Sequence, residues 1–97
     1  MFSGNIDNID TIREYIRTLE PISSQIEGEY AKSLIETDDI QTMQQYFYSF
    51  WASRNPLSPQ IEWENYYAQV KRVNASFTSQ RIKGYKTDRG RVFLKYG

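Results

Sequence analysis

The fold of this chain is decided by residues 37–54, TDDIQTMQQYFYSFWASR. Apolar and aromatic side chains recur there every three or four residues, which is the spacing of one helix face. Thr37 is a good N-cap, and the two aspartates that follow it suit the positive first turn of a helix. We therefore expect a helix that runs to about Ser53. Its buried stripe consists of Ile40, Met43, Phe47, Phe50 and Trp51.

Two helical patterns precede this stretch. The first runs from Asp7 to about Thr18 or Leu19, and either Asp7 or Asp10 can cap it. Pro21 interrupts the pattern because proline lacks the amide N–H that a helix interior needs. The helical spacing then resumes with one buried face, so Pro21 either kinks one long helix or starts a second helix at its first turn. The apolar members of that face are Ile22, Ile26, Tyr30, Leu34 and Ile35.

A loop and a further helix come next. Residues 54–59, RNPLSP, hold two prolines and predict a loop. Ser58 then caps a helix that has Pro59 in its first turn and runs to about Phe77. The apolar face of this helix consists of Trp63, Tyr66, Tyr67, Val70, Val73 and Phe77. Because short loops imply antiparallel neighbours, residues 1–78 are predicted to form an antiparallel array of three to four helices.

The pattern changes over residues 79–97. GYKTDRG, residues 84–90, reads as a turn-rich basic loop, and residues 91–96 read as a β-strand. One face of the strand would carry Val92, Leu94 and Tyr96. A lone strand leaves its backbone unpaired, so we expect the chain to be a single domain that is truncated before a partner strand. The predicted fold class is α+β, mostly α, with a helical array followed by a basic loop and a C-terminal strand.

The composition excludes several kinds of chemistry. The 97 residues include no histidine and no cysteine. Thiol nucleophiles, disulfides, zinc sites built on these residues and the Ser-His-Asp triad are therefore excluded. The sequence also has no apolar run long enough to span a membrane, and its first residues lack the basic and apolar regions of a signal peptide.

The formal net charge of zero hides an asymmetry. Residues 1–40 hold nine acidic and three basic residues, a net charge of −6, whereas residues 41–97 hold nine basic and three acidic residues, a net charge of +6. We expect the acidic helices to lie beside the basic tail, in an attraction that weakens with salt.

Residues 84–97, GYKTDRGRVFLKYG, resemble the signature of the GWxTD-domain family of Bacteroidetes. That signature is Gly-Trp-x-Thr-Asp, followed by Arg-Gly and a strand that ends in Tyr-Gly, and Tyr85 stands here in place of the tryptophan. Upstream, residues 50–56 resemble the family's Phe-Trp and Arg-Asp-Pro box, with Asn55 in place of the aspartate. The spacing from Tyr66 to Phe77 matches as well, so the resemblance covers about residues 20–97.

The resemblance implies a place in the cell but no reaction. The family has no established activity, so neither a cofactor nor a metal nor a catalytic residue follows from it. Members commonly carry export or lipoprotein signals, which implies the cell envelope or periplasm. In similar sequences the strand continues through prolines into further strands, which implies that this chain is the N-terminal part of the domain.

The motif residues have two interpretations. Asp88 could act as a general base or bind a hard cation, while Arg89 or Arg91 binds a phosphate or carboxylate. Alternatively, Asp88 and Thr87 accept backbone hydrogen bonds in a turn, and Gly90 supplies a positive φ. The second interpretation is favoured because no second carboxylate or histidine lies nearby in the sequence. The motif residues of open role are Phe50, Trp51, Arg54, Gly84, Tyr85, Thr87, Asp88, Arg89 and Gly90, and the candidate anion-binding residues are Lys86, Arg89 and Arg91.

The box at residues 50–54 is typical of a helix that ends in the core. Phe50 and Trp51 are core residues more often than they line a ligand cage. Arg54 at the helix C-terminus suits the helix dipole, and we expect it to pair with Glu62 or with Asp88. An Arg54–Asp88 pair would join the helix end to the motif loop.

Three functions follow from these features. The favoured one is a protein-interaction or scaffold module, which binds an unknown partner protein or the remainder of the parent chain, for example by strand addition. The first alternative is a nucleic acid or another anionic ligand on the basic tail, although the zero net charge disfavours nucleic acid. The second alternative is a carboxylate-based enzyme that uses Asp88. The tail residues that would contact nucleic acid are Lys71, Arg72, Arg81, Lys83, Lys86, Arg89, Arg91 and Lys95, with Tyr85, Phe93 and Tyr96 between them.

Overall fold

The computed structural model describes residues 2–77 and 83–96, and within these ranges the chain forms five α-helices. No helix in the described ranges is both long and apolar enough to cross a membrane. The α-helices are α1 (Ile9–Arg17), α2 (Gln25–Ile35), α3 (Ile40–Arg54), α4 (Pro59–Phe77) and α5 (Asp88–Tyr96), and the 3-10 helices are Phe2–Asn5, Glu20–Ile22 and Gly84–Lys86.

Polar side chains begin the first three helices. The Oδ1 atom of Asn8 accepts the backbone N–H of Asp10 at 2.9 Å, so the predicted caps Asp7 and Asp10 were wrong by one or two residues. Asp39, rather than Thr37, caps α3. Before α2, Ser24 and Glu27 form a capping box, in which each side chain accepts a hydrogen bond from the other residue's backbone N–H.

An aromatic main core joins α1, α2, α3 and the first half of α4. Its buried members are Ile12, Ile16, Leu19, Leu34, Met43, Phe47, Phe50, Trp51 and Trp63. The ring centroids of Phe47 and Trp63 lie 4.7 Å apart in an edge-to-face arrangement, which aromatic pairs prefer. Apart from Ile40, which is half-buried, the stripe predicted for residues 40–51 is buried as expected.

The helix α2 packs differently from its prediction. Ile26 is 81% exposed and Tyr30 is exposed as well, so these two residues of the predicted face do not reach the core. Leu34 is buried, and Ala31 and Ile35 pack beside it. The apolar spacing of this segment is compatible with burial of either of two neighbouring faces of α2. Contacts with the rest of the chain decide which of the two faces is buried.

The predicted α+β class is wrong, because the described residues form helices and no strand. Residues 91–96, the expected strand, belong to α5. A strand would place Val92, Leu94 and Tyr96 on one face, yet only Leu94 is buried, while Val92 is 57% and Tyr96 76% exposed. The buried residues of α5 are Gly90 and Leu94, four residues apart, which is a helical spacing. The unpaired strand that predicted a truncated domain and strand addition is therefore absent.

Candidate functional site

The GYKTDRG segment is a 3-10 turn that leads into the capped start of α5. Thr87 donates its hydroxyl to the carbonyl oxygen of Gly84 at 2.7 Å and accepts the backbone N–H of Gly90 at 3.0 Å. Thr87 is thus the N-cap of α5, and Asp88 lies in the first turn, where the helix dipole favours a negative charge. The sequence contained this signal, since a threonine followed by an aspartate commonly begins a helix.

Both glycines of the segment are required by close packing. A Cβ on Gly84 would overlap with the carbonyl oxygen of Val73 and would lie 2.6 Å from the Cα of Asn74, both in the α4 backbone. A Cβ on Gly90 would overlap with the carbonyl oxygen of Gly84. Because Gly90 lies inside α5, this contact rather than a positive φ is what requires the glycine. The two glycines let the start of α5 sit directly on α4.

Tyr85 fills the space between this turn and the rest of the molecule. It is 1% exposed and packs with Val70, Val73 and Leu94, a group that we call the motif cluster. Its backbone N–H donates to the Oδ1 of Asn74 at 3.0 Å. Its hydroxyl donates to a carboxylate oxygen of Glu14 on α1 at 3.0 Å. A tryptophan would also combine an apolar ring with one N–H donor, so tyrosine keeps the same chemical character.

Glu14 links the motif to α1 and was not singled out by sequence analysis. The carboxylate oxygen that accepts the Tyr85 hydroxyl also lies 2.7 Å from Nζ of Lys83, and Arg17 lies 3.6 Å from the other oxygen. Burial would raise the pKa of Glu14, but the hydrogen bonds from Lys83 and Tyr85 and the nearby positive charges outweigh burial and lower it. Burial, and after it the negative charge of Glu14, raises the pKa of Tyr85.

A second ion pair joins the acidic and basic parts of the chain. Arg91 on α5 lies 3.0 Å from Glu20, in the 3-10 helix after α1. Together with the Lys83–Glu14 pair, this contact places two cations of the tail beside acids of the N-terminal part. The expected attraction between the acidic helices and the basic tail is present at these two points.

The box at residues 50–54 belongs to the main core. Phe50 and Trp51 are buried, and the Trp51 ring lies 5.5 Å from that of Tyr66. No residue of the described ranges accepts a hydrogen bond from the Trp51 indole N–H. Tyr66 packs against both the main core and the motif cluster, and its hydroxyl donates to the carbonyl oxygen of Thr18 at 2.6 Å. The two sequence boxes therefore lie in two different clusters, which Tyr66 connects.

Arg54 joins α3 to α2 rather than to the motif loop. Its guanidinium lies 3.1 Å from a carboxylate oxygen of Glu27 and 3.5 Å from the centroid of the Phe50 ring. The expected pairing with Asp88 or Glu62 is therefore wrong. Glu27 is the capping-box residue of α2, so one carboxylate both begins that helix and holds the end of α3. Burial would raise the pKa of Glu27, and the hydrogen bonds from Arg54 and Ser24 overcome it and lower this pKa.

The remaining candidate residues are exposed. Asp88, Arg89 and Lys86 are all exposed on the motif turn and the first turn of α5. Arg81, which was counted among the tail cations, lies outside the described residues, as does the side chain of Phe77. Within the described ranges, no three acidic residues cluster in a way that could hold a metal ion.

Lys86 also reaches a concave and mostly apolar surface of the molecule. This cleft of about 200 Å³ lies between α1 and α2. Its lining residues are Ile16, Arg17, Glu20, Ser23, Gly28, Ala31, Lys32, Ile35 and Lys86.

The structure defines a small helical domain in which a glycine-flanked turn fastens a terminal helix to the others. The sequence model of the GWxTD domain family matches residues 4–97, and the chain belongs to this family. The match includes α1, and with it Glu14, which the resemblance over residues 20–97 left out. No curated protein and no solved structure matches the chain.

Proposed function

We propose that this domain is a protein-interaction or scaffold module of the bacterial cell envelope. The observation that carries the proposal is that the motif serves packing. Gly84, Tyr85 and Gly90 are buried, and Thr87 caps α5. A motif used in this way holds the domain together and leaves its outer surface free for partners.

The outer surface has an apolar region that suits a protein partner. Phe2, Tyr48 and Pro59 line a shallow depression together with Leu57, which is 95% exposed, and Ile61, which is 55% exposed. We call these five residues the loop patch. Contiguous exposed apolar side chains are typical of protein–protein contact sites. The compartment is supported by the family alone, whose members commonly carry export or lipoprotein signals.

The experiment places a photo-crosslinking amino acid at Leu57 in the full-length parent protein, expressed in its native host. We expect a discrete crosslinked protein, found in the envelope fraction, whose yield falls at least about tenfold when Ile61→Asp is added. The matched control is Gln25→Asp, which adds the same charge at an exposed position of α2 and should leave the yield unchanged. Equal loss in both variants, or no crosslinked protein at all, would reject the proposal.

The anionic-ligand alternative gains support from the cleft beside Lys86, whereas nucleic acid loses support. Two of the eight tail cations, Lys83 and Arg91, already pair with Glu14 and Glu20. A titration with short labelled single-stranded oligonucleotides at low salt tests the nucleic-acid form, and we expect no saturable binding.

The enzyme alternative rests on Asp88, which is exposed in the first turn of α5. Its position at a helix start is sufficient to explain an acidic residue there. We therefore propose a structural role for Asp88 in this domain.

A further inference from the structure

The cleft between α1 and α2 has an apolar floor. Ile16 of α1 and Ala31 and Ile35 of α2 line it, and Gly28 forms part of its wall. Its volume of about 200 Å³ resembles that of cavities that hold a single benzene-sized group, and it is smaller than the pockets of drug-sized ligands. The floor therefore has room for one bulky apolar group.

Gly28 is an unexpected residue at this place. It lies inside α2, where glycine is a poor helix former. Nothing lies within 4 Å of the position that a Cβ would occupy, so packing inside the domain does not require a glycine. In contrast, Gly84 and Gly90 both have such a packing reason. A glycine at position 28 keeps the cleft open where any larger residue would narrow it.

The rim of the cleft is positively charged. Arg17 on α1, Lys32 on α2 and Lys86 on the motif turn all border it. Within residues 2–77 and 83–96, neither Lys32 nor Lys86 forms an ion pair with a carboxylate. Glu20, the acid that lines the rim in the part of the chain that the structure describes, is already paired with Arg91 at 3.0 Å. Arg17 is shared with Glu14 at 3.6 Å, so within the described ranges the rim offers two unpaired cations to a negative charge, Lys32 on α2 and Lys86 on the motif turn.

We propose that this cleft binds an acidic peptide segment of a partner protein, which inserts one bulky apolar side chain between carboxylates. The proposal rests on the proposed function and names the chemistry of one partner. A small ligand with one anionic group could fill the floor but would leave one of the two unpaired lysines, which lie on two different elements, without a negative partner. A peptide with acidic residues on both sides of an apolar residue fills the floor and supplies a carboxylate to each lysine.

The test is fluorescence anisotropy with the purified 97-residue chain and a labelled peptide, Glu-Asp-Phe-Asp-Glu. We expect a dissociation constant below about 1 mM at low salt, and binding weakened at least about tenfold when glycine replaces the phenylalanine or lysines replace the acids. Amide chemical shifts of Ala31, Ile35 and Lys86 should move on titration. Absence of binding, or equal binding of the three peptides, would overturn the proposal.

Two protein variants separate the rim from the floor. The double variant Lys32→Glu with Lys86→Glu should weaken binding at least about tenfold, whereas Lys71→Glu with Arg72→Glu on α4 makes the same charge change outside the cleft and should not. Gly28→Leu should fill the floor and abolish binding, whereas Ser33→Leu adds the same group to α2 outside the cleft. Circular dichroism verifies that each variant is folded. Equal effects of a variant and its control would contradict the proposal.

Three further outcomes distinguish this inference from its alternatives. If benzoate or inorganic phosphate displaces the peptide with the affinity of the peptide itself, the cleft is a small-anion site and the peptide proposal fails. If the peptide does not bind but crosslinking from Leu57 still depends on Ile61, the inference fails and the proposed function stands. Absence of any crosslinked protein together with retained peptide binding would reject the proposed function at the loop patch, while the cleft would stand as a peptide-binding site.

Discussion

The main core and the motif cluster are stabilised in different ways. The main core joins four helices through large side chains, among them Phe47, Phe50, Trp51 and Trp63. The motif cluster consists of four buried residues and depends on two glycines that bring backbones together. Burial of apolar area is tolerant of small shifts, since it has no preferred direction. Contacts between backbones and hydrogen bonds do not tolerate small shifts. The motif cluster should therefore respond far more strongly than the main core to small chemical changes.

The largest effect is expected in the main core. Trp51→Ala should lower the free energy of unfolding by about 4 kcal/mol, because it removes a fully buried ring and leaves a cavity among other aromatic rings. Urea unfolding followed by circular dichroism measures this change. Leu57→Ala, at a 95% exposed position, should change it by less than about 0.5 kcal/mol. A loss of under about 1 kcal/mol for Trp51→Ala would show that the main core is not the chief source of stability.

A single methyl group should be nearly as disruptive in the motif cluster. Gly90→Ala places a Cβ where the carbonyl oxygen of Gly84 lies and 2.6 Å from the Val73 side chain, so α5 must move away from the motif turn and from α4. We expect a loss of about 3 kcal/mol in the free energy of unfolding. Hydrogen exchange should also become faster in α5 while the amides of α3 stay protected. Unchanged exchange in α5 would contradict the close packing.

Removal of one hydroxyl tests the contact between the motif and α1. Tyr85→Phe keeps the buried ring but leaves Glu14 without one of its donors, and it should cost about 1.5 kcal/mol. The same change should raise the pKa of Glu14, because the lost hydrogen bond is one of the interactions that lower it. Carboxyl-carbon chemical shifts followed against pH measure this pKa. The control is Tyr96→Phe, at an exposed position of α5.

The pH dependence of stability should follow from Glu14. Its pKa is lower in the folded chain than in the unfolded one, so its contribution is complete above the unfolded pKa of about 4.5 and is lost as the pH falls through the folded pKa. In Glu14→Gln, the loss of stability between pH 6 and pH 3 should be smaller than in the unchanged chain. Glu29→Gln, on α2 outside this network, should keep the original slope. Identical slopes for all three chains would exclude Glu14 as an acid-sensitive link.

The smallest change is expected to be stabilising. Gly28→Ala adds a methyl group where nothing lies within 4 Å, and alanine is the better helix former. The free energy of unfolding should rise by about 0.5–1 kcal/mol. A gain in the free energy of unfolding at position 28 and a loss at position 90 would distinguish a glycine that lines a cleft from one that packing requires. A loss of stability in Gly28→Ala would remove that distinction.

Sequence patterns predicted the main core better than the motif cluster. The stripe in residues 40–51 has only one face that could be buried, so its periodicity was sufficient. For α5, the β-branched and aromatic residues favour a strand. Thr87 and Asp88 begin the helix, but the same two residues are also typical of a turn. Strand preference is weak and depends on neighbours, so the cap and the contact with α4 outweighed it. The predicted partner of Arg54 was wrong because the sequence offers several acidic residues. The packing of α2 against α3 is what brings Glu27 to Arg54.

The amino-acid sequence alone determined the first four helices, the exclusion of cysteine and histidine chemistry, and the family. Each of the helices depends on side-chain spacing and caps within a few residues, which are local interactions. The tertiary structure alone decided the helical state of residues 91–96, the partners of Glu14 and the cleft beside Gly28. Glu14 contacts Lys83 and Tyr85 across 69 and 71 residues of chain. Contacts at such separations form only after α1, α4 and α5 have packed, so no local pattern could specify them.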